Sequence, residues 1–221
     1  MIPLKDSSVT RRFPIINISL IFLNIYLFLK QVMMTDPQLQ NYVITYGLIP
    51  GRLFGELSAG VTTSLFTLIS YQFLHGGWLH IGSNMLYLWV FGDNIEDRLG
   101  HFKYLIFYLF LGVLAGFIQA FLDPDSLIPV IGASGAVAGI LGAYMISCPR
   151  ARVLTLVPIF FFFTIIEVPA VLFLGFWFIL QLFSGIGSIG AEVSIAWWAH
   201  IGGFVFGLLL VGFFGKKIDC E

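Results

Sequence analysis

The feature that most constrains this chain is a series of apolar runs, several long enough to cross a bilayer, with few charges between them. Phe13 to Met34 carries one charge, Lys30, near its far end. Such a run is long enough for a helix to span a hydrocarbon core about 30 Å thick, and Lys30 can snorkel to the interface. Only 10% of the residues are charged and the mean hydropathy is +0.95. Soluble domains carry about 25% charged residues, so this chain cannot clothe a water-facing surface. The runs are continuous and lack the in–out alternation of a transmembrane barrel. These properties predict an all-α membrane protein. A net charge of −1 and the lack of a basic patch give no reason to expect nucleic acid as a partner.

The chain reads as one membrane domain over 1–221, with a short polar head at 1–12 and six spans. These lie at roughly 13–34, 78–92, 102–122, 134–148, 168–183 and 195–214. No small-residue cleavage site follows the first run, which argues for an uncleaved helix rather than a signal peptide. Asp36 to about Gly77 is too long for a structureless loop and predicts short helices lying in the outer interface. Val153 to Ile166 reads as a partly embedded connection, interrupted by Pro158, and Ser184 to Ser194 as a flexible, Gly-rich outer loop. With the N-terminus inside, Lys5, Arg11, Arg12, Arg98, Lys103, Arg150, Arg152, Lys216 and Lys217 all fall on one side, leaving Arg52 in an outer loop. Positive residues mark the cytoplasmic face, which predicts a multi-pass protein of the plasma membrane with both termini cytoplasmic. Cys148 and Cys220 then face the cytoplasm, where thiols stay reduced, so a disulfide is not expected.

Polar residues inside the runs are few, and they share a depth. Spans two, four and six all start on the outer side. His80 and Asn84 lie in the first turns of span two, Ser134 opens span four, and His200 lies near the start of span six. None of these residues entered the charge argument, so their agreement in depth is independent of it. The fourth span is short, which sets its first residue below the membrane surface. A serine hydroxyl needs a neighbouring base to become a nucleophile, and histidine is the side chain that titrates near neutrality untuned. A serine heading a membrane helix more commonly caps it or bonds to a neighbouring helix; His200 at matching depth tips the balance toward catalysis. His80 and Asn84, four apart, share a helix face. Gly203 and Gly207 share the face of His200, and Gly135, Gly139 and Ala143 form a similar small-residue face that permits close helix approach.

Gly132-Ala133-Ser134-Gly135 resembles the nucleophile motif of rhomboid intramembrane serine proteases. His75-Gly76-Gly77-Trp78-Leu79-His80, His80 with Asn84, Glu96 with Gly100, and His200 with Gly203 and Gly207 are similar to that family's pattern in order and spacing. The resemblance runs from about Pro50 to Phe214. It implies a six-helix rhomboid-like bundle and a Ser134–His200 dyad, with no acidic residue beside His200. It further implies that His80, Asn84 and Gly132, with the Ser134 N–H, stabilise the oxyanion. No metal or cofactor is implied, and the expected partners are transmembrane protein substrates and the lipid bilayer. Some relatives place an aromatic four residues after the serine, stacked on the base; here that position is Ala138, so the base must be held otherwise. Glu96 and Arg98 read as a structural anchor, His75 as a packing group, Phe160 to Phe163 as lipid contact, and Trp197 and Trp198 as interfacial aromatics. The rival reading is a catalytically inactive rhomboid-fold binder or a small transporter. Both catalytic residues being present opposes the first, and the lack of acidic residues at span centres opposes the second.

Overall fold

The computed structural model describes residues 1–54, 61–159, 162–188 and 196–215. In chain order the elements are β1 (Ile2–Asp6), α1 (Ile15–Val32), α2 (Asp36–Tyr46), α3 (Pro50–Leu53), α4 (Val61–Ser70), a 3₁₀ turn (Tyr71–Phe73), α5 (Trp78–Leu99), α6 (His101–Leu122), α7 (Ser134–Ser147), β2 (Arg152–Ile159), β3 (Phe162–Pro169), α8 (Ala170–Gly187) and α9 (Trp197–Phe214). The fold is mostly helical. Among the described residues four helices are long and apolar enough to cross a membrane: α1, α6, α8 and α9. α7 is apolar but shorter. α5 is long, but His80, Ser83 and Asn84 near its start and Asp93 to Arg98 near its end dilute its apolar character.

α7 is the axis of the bundle. Every residue from Gly135 to Tyr144 is buried, as expected of a helix that is apolar all round. α6 shows the two-faced alternative: Tyr104, Phe107, Tyr108, Leu111, Ala115 and Gln119 turn inward at helical spacing, while Phe102, Ile106, Phe110, Phe117 and Phe121 are exposed. Such an outward aromatic face suits lipid rather than water. The interface expectation for Asp36–Gly77 is met as far as helices go, with α2, α3 and α4 in that stretch. α2 starts where the Thr35 N–H donates to Gln38 Oε1 at 3.0 Å, half of a capping box.

Two expectations are corrected. The chain is not all-α. β1, β2 and β3 form a three-stranded antiparallel sheet in that order, with Ile2 opposite Leu156 and Arg152 opposite Pro169. The polar head is thus partly a strand, and the embedded connection is a hairpin. Its β-branched residues Val153, Thr155, Val157, Thr164, Ile165, Ile166 and Val168 suit a pleated surface. Phe162 and Phe163 lie in β3 and are exposed, whereas Phe160 and Phe161 are outside the described residues. The helices run past the apolar runs read from sequence: α5 continues to Leu99 and α8 covers Ala170–Gly187. Finally, Cys148 is disulfide-bonded, against the expectation of reduced thiols drawn from its assigned side of the membrane. Cys220, Lys216 and Lys217 lie outside the described residues, as does most of the loop after Ser188.

The two ends of the bundle separate cleanly. β1, the sheet, the α5–α6 turn at Gly100 (φ +77°) and the last turn of α9 gather at one end. There Glu96 caps α1, accepting from Ile16 N–H at 2.9 Å and Asn17 N–H at 2.7 Å, with His101 Nδ1 at 2.5 Å. A carboxylate on the free N–H groups of a helix start is favourable by charge and by hydrogen bonding. Asn17 in turn donates to Leu88 O and accepts from Tyr104 OH. Ser134, His80 and His200 sit at the other end.

Candidate active site

Ser134 is the first residue of α7, and the loop that delivers it is held by backbone pairing. Leu48 and Val130 exchange both N–H···O bonds, at 3.0 and 2.7 Å, and Gly132 N–H donates to Tyr71 O at 2.9 Å. Gly132 has φ +126°, a conformation that disfavours any side chain. The bend that follows aims the Ser134 hydroxyl inward. Its Oγ lies 2.8 Å from His200 Nε2, within reach for proton transfer.

That distance depends on the seam between α7 and α9. A Cβ added to Gly203 would strike the Gly135 carbonyl oxygen, one on Gly207 the Gly139 carbonyl oxygen, and one on Gly142 the Phe204 carbonyl oxygen. The two backbones are therefore in direct contact: Gly203 and Gly207 of α9 lie against the carbonyl oxygens of Gly135 and Gly139, while the α7 glycine whose bare Cα faces α9 is Gly142. A Cβ on Gly135 would lie 2.7 Å from Ala115 Cβ on α6, and one on Gly139 2.6 Å from Leu111 Cδ1. The central helix has no room on that side either.

The other flank of the serine is made by α5. A Cβ on Gly132 would lie 2.7 Å from His80 Nε2 and 3.6 Å from Ser134 Oγ, so Gly132 is the floor between the two polar groups. His80 Nδ1 is 3.3 Å from Gly76 N–H, whose proton it can accept; Nε2 is then the N–H that points toward Gly132. One turn on, Asn84 is buried, and its Nδ2 has no hydrogen-bond partner among the described residues. A buried amide donor without a partner costs about 1–3 kcal/mol, which makes it a group waiting for an acceptor. The N–H groups of the first turn of α7 likewise have no partner within their own helix. His75 stays out of this set. Its backbone N–H donates to Gln31 Oε1, its carbonyl accepts from Gln31 Nε2, and its ring packs edge-on against Phe28 and His80. Burial first, and the neighbouring His80 second, push the His75 imidazole down to about 3, so it packs as a neutral ring.

Sequence reasoning missed what holds the His200 ring. Ala138 is buried in the seam, and the groups around the imidazole come from elsewhere. Gln181 on α8 places Oε1 2.8 Å from His200 Nδ1. The Trp177 ring lies 6.3 Å from the His200 ring and the Trp197 ring 5.9 Å, edge-on. A signal existed: from Ala170 to Phe183, Gln181 is the one amide in an otherwise apolar run. Among the described residues no group of three or more His, Cys, Asp or Glu side chains converges as metal ligands do.

Comparison with known proteins adds to this geometry. The Rhomboid domain profile matches residues 62–217. The chain is 27% identical over 173 residues to Rhomboid protein 1, mitochondrial, of Saccharomyces cerevisiae, covering 74% of this chain and 46% of that protein. It is 33% identical over 149 residues to the rhomboid protease GluP of Bacillus subtilis, covering 66% and 27%. To the rhomboid protease GlpG of Yersinia pestis it is 29% identical over 144 residues, covering 64% and 45%. The matched region spans less than half the length of each of these relatives.

Proposed function

Because the chain belongs to the rhomboid family, a family with named proteases among its members, we propose that it is an intramembrane serine endopeptidase. In this reading it cuts single-span membrane proteins near the outer face through the dyad of Ser134 and His200. The observation that carries the reading is the 2.8 Å approach of Ser134 Oγ to His200 Nε2 at the head of the central helix, beside a buried amide donor that lacks an acceptor. As Oγ adds to the scissile carbonyl carbon, its proton passes to Nε2. Negative charge collects on the carbonyl oxygen, where the Ser134 N–H, Asn84 Nδ2 and His80 Nε2–H can meet it. Preorganised donors of this kind stabilise such an oxyanion strongly. Collapse expels the amine, which takes the proton from His200. A water then attacks the acyl-enzyme with His200 again as base, restoring Ser134. The substrate helix must unwind first, since its carbonyls are tied in i→i−4 bonds.

We further propose that all six long helices, α1 and α5 to α9, cross the membrane. α7 is about 21 Å long at 1.5 Å per residue, shorter than a core of about 30 Å, which sinks Ser134 beneath the outer surface. In this reading the basic residues at the opposite end, Arg11, Arg98, Lys103 and Arg152 among them, support a cytoplasmic position for both termini, and the plasma membrane is the compartment proposed. Substrate would enter past α8 and the loop beyond it. The test is cleavage of a generic single-span substrate by the purified protein in detergent. Wild type should cut, Ser134→Ala and His200→Ala should not, and the double variant should be no worse than either because the pair acts as a unit. Cleavage retained by Ser134→Ala would overturn the reading.

A further inference from the structure

We infer that Gln181 is the positioning residue of the base: its amide oxygen accepts the proton on His200 Nδ1 and so keeps Nε2 unprotonated toward Ser134. The inference rests on the proposed dyad. A neutral imidazole carries one N–H, and the partner of one nitrogen decides the state of the other. Nε2 faces Ser134 Oγ at 2.8 Å and Nδ1 faces Gln181 Oε1 at the same distance. With the proton on Nδ1, the chain of bonds runs from serine O–H to Nε2 and from Nδ1–H to the amide oxygen, and Ser134 is ready to be deprotonated. With the proton on Nε2, the imidazole would donate to the serine and could not act as its base.

The neighbours select the first arrangement. Gln181 is buried, and an acceptor there keeps the ring from turning. Trp177 lies one turn earlier on the same face of α8, and it contacts the ring that Gln181 bonds. Trp197 closes the edge from α9 itself. Two residues of α8 thus orient a base carried on α9, and the α7 position with Ala138 contributes nothing polar. Among the described residues the other titratable side chain acting on His200 is His80, on α5. An amide serves here where a carboxylate would have to be desolvated, at a cost of several kcal/mol per buried ion.

The test uses the intact protein with Gln181→Met and Gln181→Glu. Methionine nearly conserves volume and removes the acceptor; glutamate keeps the shape and adds charge. ¹⁵N-histidine NMR at neutral pH should show the Nδ1–H tautomer for His200, assigned by its loss in His200→Ala, and Gln181→Met should remove that bias. In cleavage, Gln181→Met should lower kcat about 10- to 100-fold, the range found when the hydrogen-bond partner of a metal-bound histidine is removed, with KM and the thermal midpoint near wild type. Gln181→Glu should recover activity and move the acid limb of the pH–rate profile about one unit upward, because a carboxylate stabilises the protonated ring. If Gln181→Met fails to fold, Gln181→Glu decides alone. A Gln181→Met enzyme with full kcat and the same tautomer, or a Gln181→Glu enzyme with an unmoved acid limb, overturns the inference while leaving a Ser134-dependent protease intact. A protein that shows the tautomer dependence yet never cleaves would keep this assignment and defeat the proposed activity.

Discussion

The two ends of the bundle use the same kinds of polar side chain to opposite effect. At the sheet end, Glu96 is filled by two backbone N–H groups and His101, Asn17 is bonded on both sides of its amide, and Asp6 Oδ2 accepts from Tyr144 OH at 2.6 Å and Asn94 Nδ2 at 3.0 Å. Arg98 Nε is the exception there. At the Ser134 end, Asn84 Nδ2 is buried without a partner among the described residues, and the serine hydroxyl is bonded to the His200 imidazole. The contrast is one of position as well as of satisfaction: Asn24 Oδ1, Gln72 Oε1, the His75 ring nitrogens and Tyr108 OH are also buried without a partner among the described residues, whereas Asn84 lies one turn from His80, which borders Gly132 beside Ser134. The contrast predicts that substitutions at the first end change stability and leave turnover, and that those at the second do the reverse.

The largest effect is expected where the two roles cannot be separated. Gly203→Val would drive a side chain into the Gly135 carbonyl and part the α7–α9 seam. Both activity and the thermal midpoint should fall, read by cleavage and by thermal denaturation in detergent; an active, equally stable variant would show that the seam is not what sets the Ser134–His200 distance. Next comes Asn84→Ala, which should lower kcat about 10²- to 10³-fold, as the loss of one oxyanion donor does. Its thermal midpoint should hold or rise, because a buried unpaired donor has been removed. A fall in midpoint with full turnover would place Asn84 among the structural groups. At the opposite end, Glu96→Gln should do the converse. It replaces a charged acceptor for the Ile16 and Asn17 N–H groups with a weaker one, at a cost of about 1–3 kcal/mol, and kcat of the folded fraction should stay near wild type.

The smallest effect concerns Asp6, whose carboxyl is raised above its usual range by burial against the opposing pull of Tyr144 and Ser8. A carboxylate raised in the folded state is penalised when ionised. The penalty is absent below about pH 4 and grows as pH rises through the folded value. Asp6→Asn should therefore raise the midpoint slightly at pH 8 relative to wild type, and the difference should close on acidification toward pH 4. A difference that instead widens on acidification would mean that the ionised form is the one the fold favours.

Which parts could be read from the chain follows from the range of the interactions involved. Ser134, His200, His80 and Asn84 stood out because polar side chains are rare in apolar runs and helical spacing fixes which ones share a face. Their common depth needed only the distribution of lysine and arginine. The hairpin was not legible. Short apolar stretches such as Val153 to Ile159 look alike as strands or as buried helix, and the first strand of the sheet lies at Ile2–Asp6, almost the whole chain away. α5 outruns its apolar segment because Asn94 and Glu96 find partners on other elements, β1 and α1. Gln181 was visible as a lone amide, but its contact with His200 is set by how α8 crosses α9, which no local pattern encodes.

The most direct measurement of the central claim is labelling of the folded protein with a fluorophosphonate, followed by mapping of the modified residue. The account predicts one labelled serine, Ser134, with labelling lost in Ser134→Ala and in His200→Ala although both remain folded. A label on another serine, or full labelling of Ser134 without His200, would contradict it and leave the 2.8 Å contact as a hydrogen bond between two helices.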